Sequence, residues 1–412
     1  MEQTFYYIVI GALIVEYLLS TISAILNVNS ITEELPSQFI DVYDREKYAR
    51  SQAYLKAKTR FGLLSSTFGL SFILVVIHLG LFGYLDGFVR EQTNNPILAG
   101  LLFFAIIFII NDLITMPFSI YSTFVIEQKF EFNRTTPGTY LVDKLKGYLV
   151  TTLLGGIVLG TILFFFDYYG PSGWWIAWLA IALFMVAIQP LFVHIIAPIF
   201  NKFTPLEKGG LRSAIEAYAE KVKFPLTRID VMDGSRRSSH SNAYFSGFGK
   251  SKRVALFDTL LTQHNTEEIV SVVAHEVGHY KKKHIILGTI LSVLETGIML
   301  FVFRFIMSDP DLFLVFGVEK VSVYAGLIFF GLLYAPVNLI TSLFTSALSR
   351  HNEYQADRYA FDTTGNKQAL ISMLKGLAAN NLSHLTPHPL TVFLSYSHPP
   401  VTKRIEAIAL LA

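Results

Sequence analysis

Along this chain the apolar positions gather into long runs that charged residues scarcely interrupt. Stretches at about 5–26, 62–86, 97–121, 147–167, 173–199, 285–307 and 321–346 are each mostly apolar over the length a helix needs to cross a bilayer. Inside lipid every backbone polar group must be satisfied within the segment, so these stretches predict membrane-spanning helices. Residues 61–85, 147–166, 168–201 and 321–349 hold no Asp, Glu, Lys or Arg at all. Buried helices of a soluble protein seldom run so long without charge. The fold class expected is mainly α: a polytopic membrane protein with about seven spanning helices and a small α+β domain split in sequence.

The polar segments between the runs set the organisation. Lys and Arg number 6 in 27–61, 4 in 122–146, 14 in 200–284 and 6 in 349–412, against 1, 0 and 1 in 87–96, 168–172 and 308–320. This strict alternation matches seven spans under the positive-inside rule and predicts an outer or lumenal N-terminus and a cytosolic C-terminus. Four regions follow: residues 1–199 with five spans, a cytosolic segment 200–284, two further spans in 285–346, and a second cytosolic segment 347–412. In the first cytosolic segment we expect a helix from Gly210 to Lys223, then short strands near Arg228–Val231, Asn242–Phe245 and Arg253–Phe257. A further helix starts after Thr266, with Glu267 and Glu268 suited to its positive end. Asp233-Gly234-Ser235 and Ser246-Gly247-Phe248-Gly249 read as turns. The second segment reads as helices broken at Pro387, Pro389, Pro399 and Pro400. Lys281–Lys283 mark the point where a helix enters the bilayer.

Composition narrows the function. Of 412 residues 52% are hydrophobic and only 16% charged, against roughly 25% charged in soluble proteins. A net charge of +2 gives no electrostatic case for nucleic acid. Cysteine is absent, which excludes thiolate metal sites and a cysteine nucleophile, so any metal must be held by His, Asp or Glu. No basic stretch precedes the first apolar run, which reads as a span rather than a cleaved leader.

His275-Glu276-Val277-Gly278-His279 matches H-E-x-x-H. On a helix the two imidazoles share a face and can reach one ion, and the Glu between them can take a proton from metal-activated water. Two imidazoles and a carboxylate suit Zn2+ with a fourth position left open. For the third ligand Glu353 is a candidate, in the segment Arg350-His351-Asn352-Glu353-Tyr354-Gln355-Ala356-Asp357, with His351 a neighbouring competitor; spacing alone leaves an ordinary solvated helix equally open. Asp357, four residues after Glu353, can orient a ligating imidazole.

H-E-x-x-H followed at a distance by Glu-x-x-x-Asp resembles the integral-membrane zinc CAAX prenyl proteases of the a-factor-converting type. Further stretches resemble the same family: Ser239–Phe245 (SHSNAYF), Lys252–Leu260 (KRVALFDTL), Ser397-His398-Pro399-Pro400 and Glu127–Asn133 (EQKFEFN), although family members often carry Gly where Glu131 stands. The resemblance covers nearly the whole chain. It implies one zinc on His275, His279 and Glu353, with Glu276 as general base. It further implies Asn242 on an edge strand holding an extended peptide, His398 donating to the tetrahedral intermediate, and Arg404 as a further substrate-binding candidate. The implied partners are a prenylated C-terminal C-a-a-X peptide and the lipid bilayer, in the endoplasmic reticulum or a bacterial inner membrane. A general quality-control peptidase of the membrane would use the same site.

The family also implies a hollow arrangement of helices around a chamber. Glu16, His78, Asp112, His194 and Glu295 fall inside predicted spans, where polar groups face water or one another, and Glu295 would suit a basic partner. Read as relay groups, Glu16, Asp112 and Glu295 would suggest an ion-coupled transporter. The paired Gly/Pro-broken helices of that class are not seen. Asn133-Arg134-Thr135 and Asn381-Leu382-Ser383 match the glycosylation pattern, but the expected topology leaves both in the cytosol.

Overall fold

The computed structural model describes residues 2–246 and 252–412. Gly247, Phe248 and Gly249 of the expected turn lie outside the described residues. The first half is helical: α1 (Glu2–Asn29), α2 (Arg45–His78), α3 (Leu81–Gln92), α4 (Pro96–Tyr121), α5 (Pro137–Tyr169), α6 (Trp174–Leu191) and the short α7 (Ala197–Phe200). A mixed region follows, with β1 (Phe203–Pro205), α8 (Gly210–Lys221), β2 (Leu226–Met232), β3 (Ala243–Ser246), β4 (Lys252–Phe257), α9 (Asp258–Gln263) and α10 (Thr266–Lys281). The chain then returns to apolar helices, α11 (His284–Ile306), α12 (Pro310–Leu314) and α13 (Val323–Leu333). It ends with α14 (Ala335–Thr364), α15 (Lys367–Asn380), α16 (Pro389–Ser395) and α17 (Val401–Ala409).

All seven apolar stretches fall on helices, with two departures from the expected bounds. The stretch 62–86 is not one rod: α2 stops at His78 and Gly80, at φ 60, turns the chain into α3. Glycine takes that left-handed backbone without a Cβ clash. The stretch 321–346 is bent by 59° between α13 and α14, where Pro336 removes a backbone donor and crowds the preceding turn. By length and composition five helical runs qualify as spans among the described residues, or six with the bent pair. The longest, Pro137–Phe200, carries both 147–167 and 173–199, joined at Gly170–Gly173.

These helices touch one another along narrow stripes. In α6 the buried positions are Ala177 and Ile181, four residues apart on one face. One close approach is at Gly297 of α11, where a Cβ would stand 2.9 Å from the Trp178 indole nitrogen. That nitrogen donates to the Val293 carbonyl at 2.7 Å. Pro117 and Pro190 interrupt α4 and α6, and each is followed by a π-helical turn, Ser122–Glu127 and Phe192–Ile196. Such turns re-satisfy backbone groups that proline frees.

The strands form one sheet in the order β1-β2-β4-β3. β2 and β4 are parallel, pairing Ile229 with Val254 and Val231 with Leu256, while β3 runs antiparallel on β4 and forms an edge. β1 was not expected, because three residues ending in Pro205 are too short to show alternation. Against this sheet packs a core drawn from distant segments: Phe39 and Tyr43 from the 27–61 loop, Leu256, Ile269 and Val273 beside the sheet, and Leu370 and Ile405 near the C-terminus. Burying a large apolar side chain contributes about 1.5–3 kcal/mol, so these residues fix the loops to one another. Residues 122–146 join them: Asn133 bridges to Ser238, and the Arg134 amide donates to the Arg237 carbonyl. The four basic segments thus meet on one side of the membrane helices.

Candidate metal centre

Helix α10 begins with a reciprocal cap. The Asn265 side chain accepts from the Glu268 amide, and the Glu268 carboxylate accepts from the Asn265 amide. This fixes the helix start and so the phase of His275 and His279, one turn apart. Helix α14 crosses closely at Gly278, where a Cβ would meet the Ala356 backbone at 3.0 Å. That contact brings Glu353 and Asp357 against the two histidines. Between them the spanning portion of α14 and the connection at Lys283 tie both helices to the membrane region.

Three donors converge. His275 Nε2 and His279 Nε2 are 3.1 Å apart. Glu353 presents Oε2 to His275 Nε2 at 3.4 Å and Oε1 to His279 Nε2 at 3.3 Å. Ligands of a tetrahedral zinc at roughly 2.0–2.1 Å stand about 3.3 Å from one another, so spacing and donor chemistry both fit that ion. Among the described residues these three form the group able to hold a metal. His351 is not in it: its Nε2 lies 2.8 Å from Gln355 Nε2.

Buried charge steadies the group. Asp357 is 2% exposed and sets Oδ1 2.9 Å from His275 Nδ1. The Arg404 guanidinium donates to both Asp357 oxygens, from Nε at 2.8 Å and from Nη2 at 2.6 Å, and its Nη1 is 3.1 Å from Glu353 Oε2. Burial alone would raise the Asp357 pKa, but Arg404 holds it down at about 2. Burial likewise opposes charge on His275, yet its hydrogen bonds to Asp357 and Glu353 lift it to about 9. Glu353 lies well below the carboxylate range, since the two imidazoles outweigh its burial. Arg404, expected at the substrate, is instead buried and turned onto the two carboxylates. Its spacing from His398 in sequence gave no hint of that partner.

Glu276 is half-buried, and its carboxylate has no hydrogen bond or ion pair among the described residues. Burial raises its pKa, with the two histidines acting against the shift. His398 is exposed, with Nε2 3.4 Å from Glu353 Oε1 and Nδ1 2.9 Å from the Ser397 hydroxyl. Asn242 lies just before the edge strand, and its Oδ1 accepts from the Ala243 amide at 2.8 Å.

Two features escaped the sequence. The His279 ring meets His284, whose other nitrogen faces Gln355; nothing in the five-residue spacing from His279 signals this. Ahead of β3, His240 stacks on Phe132 at 3.9 Å, and its Nδ1 is 3.1 Å from Asn381 Oδ1. Its Nε2 is 3.8 Å from Glu127, which also accepts from Tyr54. The segment Glu127–Asn133 therefore braces the approach to β3. Glu131 there has φ 65, a left-handed backbone that glycine would take without a Cβ clash.

Polar groups in the spans divide. Asp112 pairs with Lys144 at 2.7 Å and accepts from Tyr148 at 2.5 Å. Glu295 accepts from the Thr341 hydroxyl rather than from a base. Glu16, His78 and His194 are exposed and have no polar partner among the described residues.

Comparison with known proteins bears on both halves. Residues 24–202 match the family model "CAAX prenyl protease N-terminal, five membrane helices", and residues 205–412 match "Peptidase family M48". The chain is 34% identical to the CAAX prenyl protease 1 homolog of Arabidopsis thaliana, covering 97% of this chain and 96% of that one. It is 35% identical to CAAX prenyl protease 1 of Saccharomyces cerevisiae, over 91% of this chain and 88% of the relative. The crystal structure of S. mikatae Ste24p superposes with a TM-score of 0.91 at 33% identity, over 98% of both chains.

Proposed function

From the premise that this chain belongs to peptidase family M48 and is an integral-membrane metallopeptidase, we propose that it is a zinc endopeptidase cleaving near the C-terminus of prenylated CAAX proteins. The observation that carries the chemistry is the convergence of His275, His279 and Glu353, whose donor atoms lie within 4.8 Å of one another, with Glu276 on the same helix as the two histidines and without a polar partner among the described residues. The substrate class rests on the likeness to CAAX prenyl proteases along the whole chain.

His275, His279 and Glu353 would hold the ion, and Asp357 would fix the His275 ring through Nδ1. When bound, the metal polarises the scissile carbonyl and acidifies water at its open position. Glu276 takes the proton from the attacking water and delivers it to the leaving amine; its raised pKa suits both transfers. His398, at the exposed rim, donates from Nε2 to the oxygen on which charge develops. Asn242 and the outer edge of β3, unpaired among the described residues, receive the peptide backbone as an added strand. Arg404 acts indirectly, by keeping Asp357 and Glu353 ionised.

The catalytic side is the cytosolic one. The gathering of all four basic segments on the side of the site supports this, since 30 of the 33 Lys and Arg residues lie in them. Glu16, His78 and His194 would face water in a chamber between the helices, because exposure to lipid is costly. The four regions 1–199, 200–284, 285–346 and 347–412 are then one membrane body and one catalytic domain assembled from two separate segments.

The test uses the full chain in detergent, offered a farnesylated C-a-a-X peptide and the same peptide unprenylated. Faster cleavage of the farnesylated peptide supports the proposal. Equal cleavage of both makes the enzyme a general membrane peptidase, and cleavage of neither by zinc-loaded protein refutes the substrate class.

A further inference from the structure

The two ligating imidazoles are backed differently, and the second backing is unassigned. His275 Nδ1 rests on a buried carboxylate, Asp357. His279 Nδ1 rests on another imidazole, His284 Nδ1, at 3.0 Å. His284 Nε2 continues to Gln355 Oε1 at 3.1 Å, and Gln355 Nε2 to His351 Nε2 at 2.8 Å. His284 is buried. It reaches His279 because the chain breaks between α10 and α11 at Lys283, a non-glycine residue held at φ 61. L-residues avoid that backbone, and such strain persists where its surroundings demand it.

The chemistry of the ligand fixes the direction of this chain of bonds. An imidazole that gives Nε2 to a metal keeps its proton on Nδ1 and must donate there. His279 Nδ1–H therefore donates to His284 Nδ1, which leaves the proton of a neutral His284 on Nε2, donating to Gln355 Oε1. The Gln355 amide nitrogen in turn donates to His351 Nε2. Every atom in the chain then has the role its chemistry allows, with no clash of donors.

We propose that His284 is a positioning residue for the metal centre: it orients the His279 ring through Nδ1, and Gln355 and His351 hold it in the accepting tautomer. This rests on the zinc reading of the site given above.

The test measures zinc affinity of the full chain in detergent, by competition with a chelator, for wild type, His284→Ala, His284→Gln and His275→Ala. Outer partners of ligating histidines typically govern affinity by about 10–100-fold. The expectation is a rise of that order in the zinc Kd for His284→Ala. His284→Gln, whose carbonyl can accept from Nδ1–H, should recover most of it. A 15N spectrum of the zinc-loaded wild type should also show His279 protonated on Nδ1 and His284 on Nε2. Unchanged affinity in His284→Ala, equal loss in both His284 variants, or the opposite tautomers would overturn the proposal while His275→Ala still abolishes binding. No zinc in the wild type would instead overturn the metal reading itself and this inference with it.

Discussion

Two of the buried carboxylates that arginine holds among the described residues are Asp86 and Asp357, and only the surroundings of the second are left incomplete. In the membrane helices, Asp86 on α3 accepts from Arg90 Nε at 2.8 Å and from the Tyr324 hydroxyl on α13 at 2.6 Å. Arg90 also donates to the Lys320 carbonyl. Those bonds satisfy the carboxylate and tie α3 to α13. Beside the candidate metal centre Arg404 grips both Asp357 oxygens, where Arg90 reaches only one of Asp86's, yet Glu353, His275 and His279 still aim surplus lone pairs at one point. A closed network rigidifies, whereas a network with donors left over marks a place for a ligand.

The largest effect expected from this comparison follows removal of Arg404. Arg404→Ala strands Asp357 and Glu353 as buried anions, and breaking a buried pair this way costs about 3–5 kcal/mol. Chemical denaturation of the variant should register that loss together with weakened zinc binding. Arg404→Lys should recover only part, since a single ammonium lacks the planar fork that serves Asp357 and Glu353 at once. Full stability and zinc binding in Arg404→Ala would make the two clusters equivalent and break the contrast.

A smaller effect is expected at the other cluster. Asp86→Ala leaves Arg90 able to reach solvent and Tyr324 without its acceptor, a loss of about 1–3 kcal/mol. Zinc content and cleavage per folded molecule should stay within about twofold of wild type, as general closed-network behaviour requires. Altered metal binding in Asp86→Ala would show that the far cluster is coupled to the site.

The smallest concerns a third pair at the domain boundary. Asp143 on α5 accepts from Arg237 Nε at 2.6 Å and Nη2 at 2.8 Å. Those bonds lower its pKa below the ordinary 3.8. A carboxyl with a depressed folded-state pKa stabilises above its unfolded pKa and loses that contribution as pH falls through the folded one. Thermal midpoints recorded against pH should therefore drop more steeply below 3.8 for wild type than for Asp143→Asn. Parallel curves would mean that the pair contributes nothing to holding α5 on the domain.

What the sequence disclosed and what it hid follow from range. The strands, α8 and α10 are local periodicities, legible to within a few residues: the helix expected at Gly210–Lys223 is Gly210–Lys221. The apolar runs mark helices but not their ends, since α2 begins as early as Arg45 and α5 at Pro137. The H-E-x-x-H pair needs only one helical turn, and Glu353 with Asp357 needs one more. Lys283 and Gly80 redirect the chain by single backbone torsions, and only the glycine advertises itself in sequence. His284, the Arg404 grip and the closure around Asp86 join residues on separate helices, where spacing carries no information. The family resemblance makes Arg404 a candidate for substrate binding, whereas its partner Asp357, 47 residues away, is brought to it only by the packing of α17 on α14.

The most direct test of the account is zinc per chain together with cleavage of a C-a-a-X peptide, measured on wild type and Glu276→Gln. The expectation is one zinc in both proteins, and in the variant a turnover lower by about 10²–10⁴-fold, the range general-base loss commands. Zinc in both with undiminished turnover in Glu276→Gln, or a wild type that binds no zinc, would contradict it.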